Sequence, residues 1–133
     1  MSIEFALWRV DEGHPRRLSL TGTGRESQLQ DWLIKDLGIV APELMLIGKE
    51  VIAYDNERID LLAIDRGGKL YALELKRGMA RREAVVQLLD YGAWLAEQTI
   101  ADLHSIYETK CPGRADGRTL SQAFKERFGV DLP

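Results

Sequence analysis

The spacing of apolar residues changes period several times along the chain, and each change marks an element. Residues 3–10 (IEFALWRV) and 16–20 (RRLSL) are rich in strand formers. Between them lies the turn-forming run Asp11-Glu12-Gly13-His14-Pro15, so residues 1–22 read as an N-terminal hairpin extension. From Thr23 to Leu37 the period becomes helical, with Leu29, Trp32, Leu33 and Leu37 on one stripe. Thr23 and Glu26 have the spacing of a capping box, and Gly38 is a natural stop. Residues 44–54, 58–65 and 69–76 then read as three strands joined by short turns, an antiparallel meander with a bulge at Gly48. Helical spacing returns over residues 81–98. Val85, Leu88, Leu89 and Leu95 make its apolar face, with Gly92 on the same side, and Gln87, Tyr91 and Trp94 make a second stripe. Residues 99–109 read as a further helix, 111–118 as a loop, and Thr119 to Phe128 as a closing helix ended by Gly129. No strand pattern follows the helix at 81–98, which suggests that residues 23–133 are a domain fragment of a longer protein.

Composition narrows the class. The 133 residues suit one α/β domain with a single core. No apolar run approaches the ~18 residues of a membrane span. The N-terminus lacks a basic region followed by a long apolar stretch, so no secretory signal is expected. Cys111 is the only cysteine, which excludes an internal disulfide and fits a reducing cytoplasm. The net charge of −3 counts against a purely electrostatic nucleic-acid binder. It counts less against an acidic site that meets phosphate through a divalent cation. Lys76, Arg77, Arg81 and Arg82 cluster locally. Taken alone, such a run is an ordinary solvated helix start. His14 and His104 are far apart, and Cys111 has no partner at ligand spacing, so neither residue type suggests a metal site.

The candidate chemistry lies in the strand YALELK. Alternation puts Leu70, Ala72, Glu74 and Lys76 on one face and Tyr71, Leu73 and Leu75 on the other. Asp60 lies in the preceding strand. With a three-residue loop Arg66-Gly67-Gly68, Asp65 faces Lys69 and Asp60 faces Glu74, with Cβ atoms ~5 Å apart. With a two-residue loop Gly67-Gly68, Asp60 faces Leu75 and the two acids point to opposite sides. The sequence permits both registers. Two facing carboxylates repel unless they share a proton or a cation, and their hard oxygens suit Mg²⁺ or Mn²⁺. Lys76 shares their face and is placed to orient an attacking water or to stabilise charge on phosphate. The strand backbone at Leu75 offers a carbonyl ligand.

In order and spacing these residues resemble the PD-(D/E)xK nuclease superfamily. Asp60 followed by Glu74-Leu75-Lys76 is similar to its core motif, and Glu26 to the upstream glutamate of many members. Gln87-Leu88-Leu89-Asp90-Tyr91 is similar to the Q-x-x-x-Y element of the RecB-like branch. RIDLLAIDRGGKLYALELKRG followed by QLLDYGAWL looks most like the NucS-type endonuclease domain. Ile59 stands where the family has proline. The resemblance spans residues 23–98. It implies a restriction-endonuclease-like core of helix, three-stranded antiparallel meander and helix, with the family's final strand missing here. It implies a Mg²⁺- or Mn²⁺-dependent deoxyribonuclease, an endonuclease of DNA repair or restriction, with no small-molecule cofactor and no membrane association. Asp60, Glu74 and Leu75 would hold the metal and Lys76 would activate water. Glu26 would help the metal site through water or a second ion, Gln87 would orient the site or contact the DNA backbone, and Tyr91 would support it. Arg77, Arg81 and Arg82 would contact DNA phosphates. An open strand edge and the family habit point to a homodimer. The alternatives are a catalytically inactive DNA-binding module with the same fold, and a protein-interaction domain that pairs through its strand edge.

Overall fold

The computed structural model describes residues 8–11, 14–17, 31, 33–35, 37–39, 41–75 and 82–133. Two antiparallel sheets are present among them. The small one pairs β1 (Trp8–Asp11) with β2 (His14–Arg17), and Asp11 faces His14. The expected turn is therefore shorter than its composition implied, because Asp11, His14 and Pro15 join the ladder. Among the described residues this ribbon has two strands, each at an edge, where proline is tolerated. The large sheet is a meander in the order β3 (Leu44–Ile52), β4 (Arg58–Asp65), β5 (Leu70–Leu73). Three helices follow: α1 (Arg82–Ala96), α2 (Ile100–Lys110) and α3 (Leu120–Phe128). The architecture is α/β, as expected, and no strand follows α1 among the described residues.

The central strand carries the core on both faces. On one side Leu61 and Ala63 are buried with Leu44, Leu75, Leu33, Leu37 and Ala41, so the segment before β3 covers that face. Asp31 and residues 33–35 of this segment are helical, and Leu37–Ile39 is a 3-10 turn. On the other side Leu62 and Ile64 pack with Ile47, with Tyr91 and Leu95 of α1, and with residues of α2 and α3. Leu62 lies between Leu61 and Ala63, which is the alternation that two covered faces demand. Both C-terminal helices start at capping boxes, Thr99 with Asp102 and Thr119 with Gln122. Gly129 ends α3 in the left-handed conformation. No helix among the described residues is long and apolar enough to cross a membrane.

The bulge expected at Gly48 is present as a register shift between Leu46 and Gly48. The glycine has a packing reason as well. A Cβ there would meet Lys110 Cβ at 3.0 Å, so α2 lies directly on β3 at this point. Leu89 corrects the expected helix face. It is 47% exposed, while Tyr91 is 1% exposed and Leu95 4% exposed. The buried face of α1 is thus centred on Leu88, Tyr91 and Leu95, and Tyr91 moves from the flank to the centre.

Candidate functional site

The β4–β5 hairpin decides where the acids go. Its register pairs Ile64 with Leu70, Ala63 with Tyr71, Leu62 with Ala72 and Leu61 with Leu73. Asp65 N donates to Lys69 O at 3.0 Å, which closes a three-residue loop. Gly68 takes φ +86° in that loop, the left-handed position of such a turn. The Asp65 carboxylate sits over the loop. Its Oδ1 accepts from Gly67 N and Lys69 N, both at 2.9 Å, and its Oδ2 accepts from the Tyr71 hydroxyl at 2.9 Å.

Continued by one residue, this register sets Asp60 opposite Glu74. Asp65 and Lys69 form a hydrogen-bonded pair, so alternation makes Asp60 and Glu74 a non-hydrogen-bonded pair, the type whose side chains lie closest. The next backbone bond of a regular ladder would run from Leu75 N to Ile59 O. Leu75 N donates to Asp60 Oδ2 at 2.7 Å. Regular β5 therefore stops at Leu73, short of the expected strand end, and the Asp60 side chain holds the segment beyond it. Glu74 shares strand parity with Leu70 and Ala72, which pack towards the helices, while Leu75 is buried on the opposite face. Both acids are half-buried, and Glu74 Oε2 is shielded from solvent.

Helix α1 brings Tyr91 to the same place. Its hydroxyl donates to Arg58 O at 2.8 Å, two residues before Asp60. Burial pushes the Tyr91 hydroxyl above its ordinary pKa, and the carboxylates of Glu74, Glu57, Asp60 and Asp90 push it the same way. The Tyr91 hydroxyl is thus tied by a hydrogen bond to the strand that carries Asp60. Gln87, one turn earlier on α1, is half-buried.

Two acids near this site escaped the sequence reading. Glu57 lies beside Arg58 and acts on the Tyr91 hydroxyl. Glu50 of β3 falls across from Asp60, between the pairs Lys49 with Leu61 and Val51 with Ile59. Glu50 is exposed and adopts φ +49°. Its strained backbone has no signature in a single sequence.

Glu26, Lys76, Arg77 and Arg81 lie outside the described residues, and Arg82 is described only as the first residue of α1. Of the expected site, the structure brings together Asp60, Glu74, Leu75 and Tyr91. The two carboxylates and the Leu75 carbonyl are hard-oxygen donors, the chemistry that Mg²⁺ takes from one or two carboxylates, with water and phosphate filling its octahedron. Among the described residues, no group of three His, Cys, Asp or Glu residues converges to hold a metal. No family model matches the chain, and neither a curated protein nor a solved structure matches it.

Proposed function

We propose that the chain is a Mg²⁺- or Mn²⁺-dependent deoxyribonuclease of the PD-(D/E)xK kind, acting as an endonuclease in DNA repair or restriction. The observation that carries this reading is the hairpin register. Continued one residue past the end of β5, it puts Asp60 across from Glu74 on the α1 side of the sheet, and the motif lysine follows two positions later. Asp60, Glu74 and the Leu75 carbonyl would hold the ion. A divalent cation bound there supplies charge neutralisation for the scissile phosphate and lowers the pKa of a coordinated water.

The chain's own residues do the positioning. Asp60 fixes the backbone of residues 74–75 through its bond to Leu75 N, so Glu74 and the Leu75 carbonyl are presented from an anchored segment. Tyr91 holds the start of β4 from the helix side. Lys76 orients the attacking water and stabilises charge on the phosphate oxygens. Gln87 orients the site from α1, and Glu26 supports it. Arg77, Arg81 and Arg82 contact the DNA backbone.

The test separates binding of the ion from cleavage. Mn²⁺ binding is followed by electron paramagnetic resonance, and cleavage is followed on single-stranded, duplex and mismatched DNA. Glu74→Ala is expected to abolish both Mn²⁺ binding and cleavage. Lys76→Ala is expected to abolish cleavage and leave Mn²⁺ binding in place. Metal-independent DNA binding without cleavage in the unmodified chain would replace the nuclease with a non-catalytic binding module.

A further inference from the structure

The connection between β4 and β5 has two hairpins open to it. Gly67-Gly68 alone would make a two-residue turn, a favoured hairpin connection, while Arg66-Gly67-Gly68 makes the three-residue loop observed. Burial of β5 discriminates weakly between them. Leu70, Tyr71, Ala72 and Leu73 are all half-buried, and apolar residues cover both faces of the sheet. Yet the choice carries Glu74 from one face to the other.

The Asp65 side chain does discriminate. In the three-residue loop one carboxylate satisfies Gly67 N, Lys69 N and the Tyr71 hydroxyl, each at 2.9 Å. A two-residue loop would hand Lys69 N to the Arg66 carbonyl, as the turn bond. It would also pair Tyr71 with Ile64 instead of Ala63, which turns the Tyr71 ring to the face opposite Asp65. Two of the three bonds therefore exist in one register only.

We infer that Asp65 is a positioning residue for the acid pair: by selecting the three-residue loop it puts Asp60 and Glu74 on one face. The metal-binding role of that pair rests on the nuclease reading, whereas the register effect stands on the hairpin alone. Asp65 stands five residues from Asp60, roughly 17 Å along the strand, so it acts on the pair through the pairing of β4 with β5.

Two readouts test this. Mn²⁺ affinity is measured by electron paramagnetic resonance, and register by nuclear Overhauser effects between Hα protons across the hairpin: Leu62 with Ala72, a non-hydrogen-bonded pair of the ladder, and Asp60 with Glu74, the positions that follow it in the same register. Asp65→Ala is expected to weaken those Hα contacts and to lower Mn²⁺ affinity about five- to ten-fold, the population shift that losing roughly one net hydrogen bond of register preference gives. Asp65→Asn keeps an oxygen for Gly67 N and Lys69 N and is expected to stay near the unmodified chain in both readouts. Thr119→Ala, remote from the hairpin, controls for a general loss of stability and should move neither. Deleting Arg66 supplies an independent check. Asp65 and Lys69 are then joined by Gly67-Gly68 alone, which holds Asp60 opposite Glu74 without help from a side chain. Adding Asp65→Ala to that deletion should leave Mn²⁺ affinity unchanged. An Asp65→Ala chain with intact Hα contacts overturns the inference. So does a loss of affinity that persists when Arg66 is deleted. If the unmodified chain binds no Mn²⁺, the nuclease reading fails, and the Hα contacts alone decide the role of Asp65.

Discussion

Replacing Tyr91 by Phe probes the link between helix α1 and the acid-bearing strands. The ring is 1% exposed and keeps its packing in the variant. What disappears is the hydroxyl's bond to Arg58 O, 2.8 Å long. A neutral hydrogen bond contributes about 1 kcal/mol net, so the expected loss is about 1 kcal/mol at neutral pH. The pH dependence carries a second, sharper expectation. The folded-state pKa of Tyr91 lies above its unfolded value of 10.0, so the native state retains a proton that the unfolded chain releases. Its contribution is complete below that value and is lost as pH rises towards the folded pKa. The slope is about 1.4 kcal/mol per pH unit in that window. Phe has nothing to ionise. The stability gap between the two proteins should therefore close about one pH unit above the unfolded pKa and then change sign. Alkaline effects of lysines and the other tyrosines act on both proteins and cancel in the difference. Urea denaturation followed by circular dichroism, at neutral pH and at steps through the alkaline range, measures the gap. A neutral-pH gap below about 0.5 kcal/mol, or a gap that stays constant into alkali, would refute the placement of this hydroxyl.

Other expectations concern the turn, the caps and the one thiol. Gly68→Ala forces a side chain into φ +86°, with its Cβ 3.1 Å from Pro133 Cγ, and should cost about 1 kcal/mol or more in urea denaturation. Thr119→Ala removes the N-cap of α3 and should cost about 1 kcal/mol, seen as faster amide exchange at Gln122. Burial raises the pKa of the Cys111 thiol, so at neutral pH it should react with a thiol reagent more slowly than free cysteine does, and speed up once the chain is unfolded.

What the sequence made legible was set by local chemistry. The three strands of the meander, the bulge at Gly48, the helix after them and the cap residues Thr119 and Gly129 all follow from residues a few positions apart. Two features followed less readily. Leu89 and Tyr91 exchanged roles because a period of 3.6 fixes which residues share a stripe but not which stripe meets the sheet. The sheet made that choice, since the Tyr91 hydroxyl finds an acceptor in Arg58 O and a leucine there would leave that carbonyl without it. The short β1–β2 turn was hidden because Asp11 and His14 belong to a run of turn formers by composition, yet both are paired in the ribbon. Of the candidate site, Asp60 and Glu74 could be named from the sequence. Their shared face could not, because it depends on one residue of loop length.

The far end of the hairpin raises a different question: why an expected metal ligand should bond to backbone. A regular ladder would carry β5 on through Leu75 and tie its N–H to Ile59 O. The Asp60 carboxylate takes that N–H instead, at 2.7 Å, so the chain leaves the ladder after Leu73 and is recaptured by a side chain. This bond has two consequences for the acid beside it. Leu75 is held with its side chain buried on the face opposite α1, which by alternation directs the neighbouring Glu74 towards α1. The same bond directs part of the Asp60 charge to a fixed donor, which eases the repulsion between two neighbouring acids. With Asp65 at the turn and Asp60 at the open end, the two aspartates of β4 both bond to backbone N–H groups beyond their own strand. Glu74 lies between those fixed points, beside Tyr91, whose hydroxyl is itself tied to β4. A carboxylate presented from a segment clamped on both sides would lose little freedom on taking an ion, which is the condition the proposed two-carboxylate site has to meet.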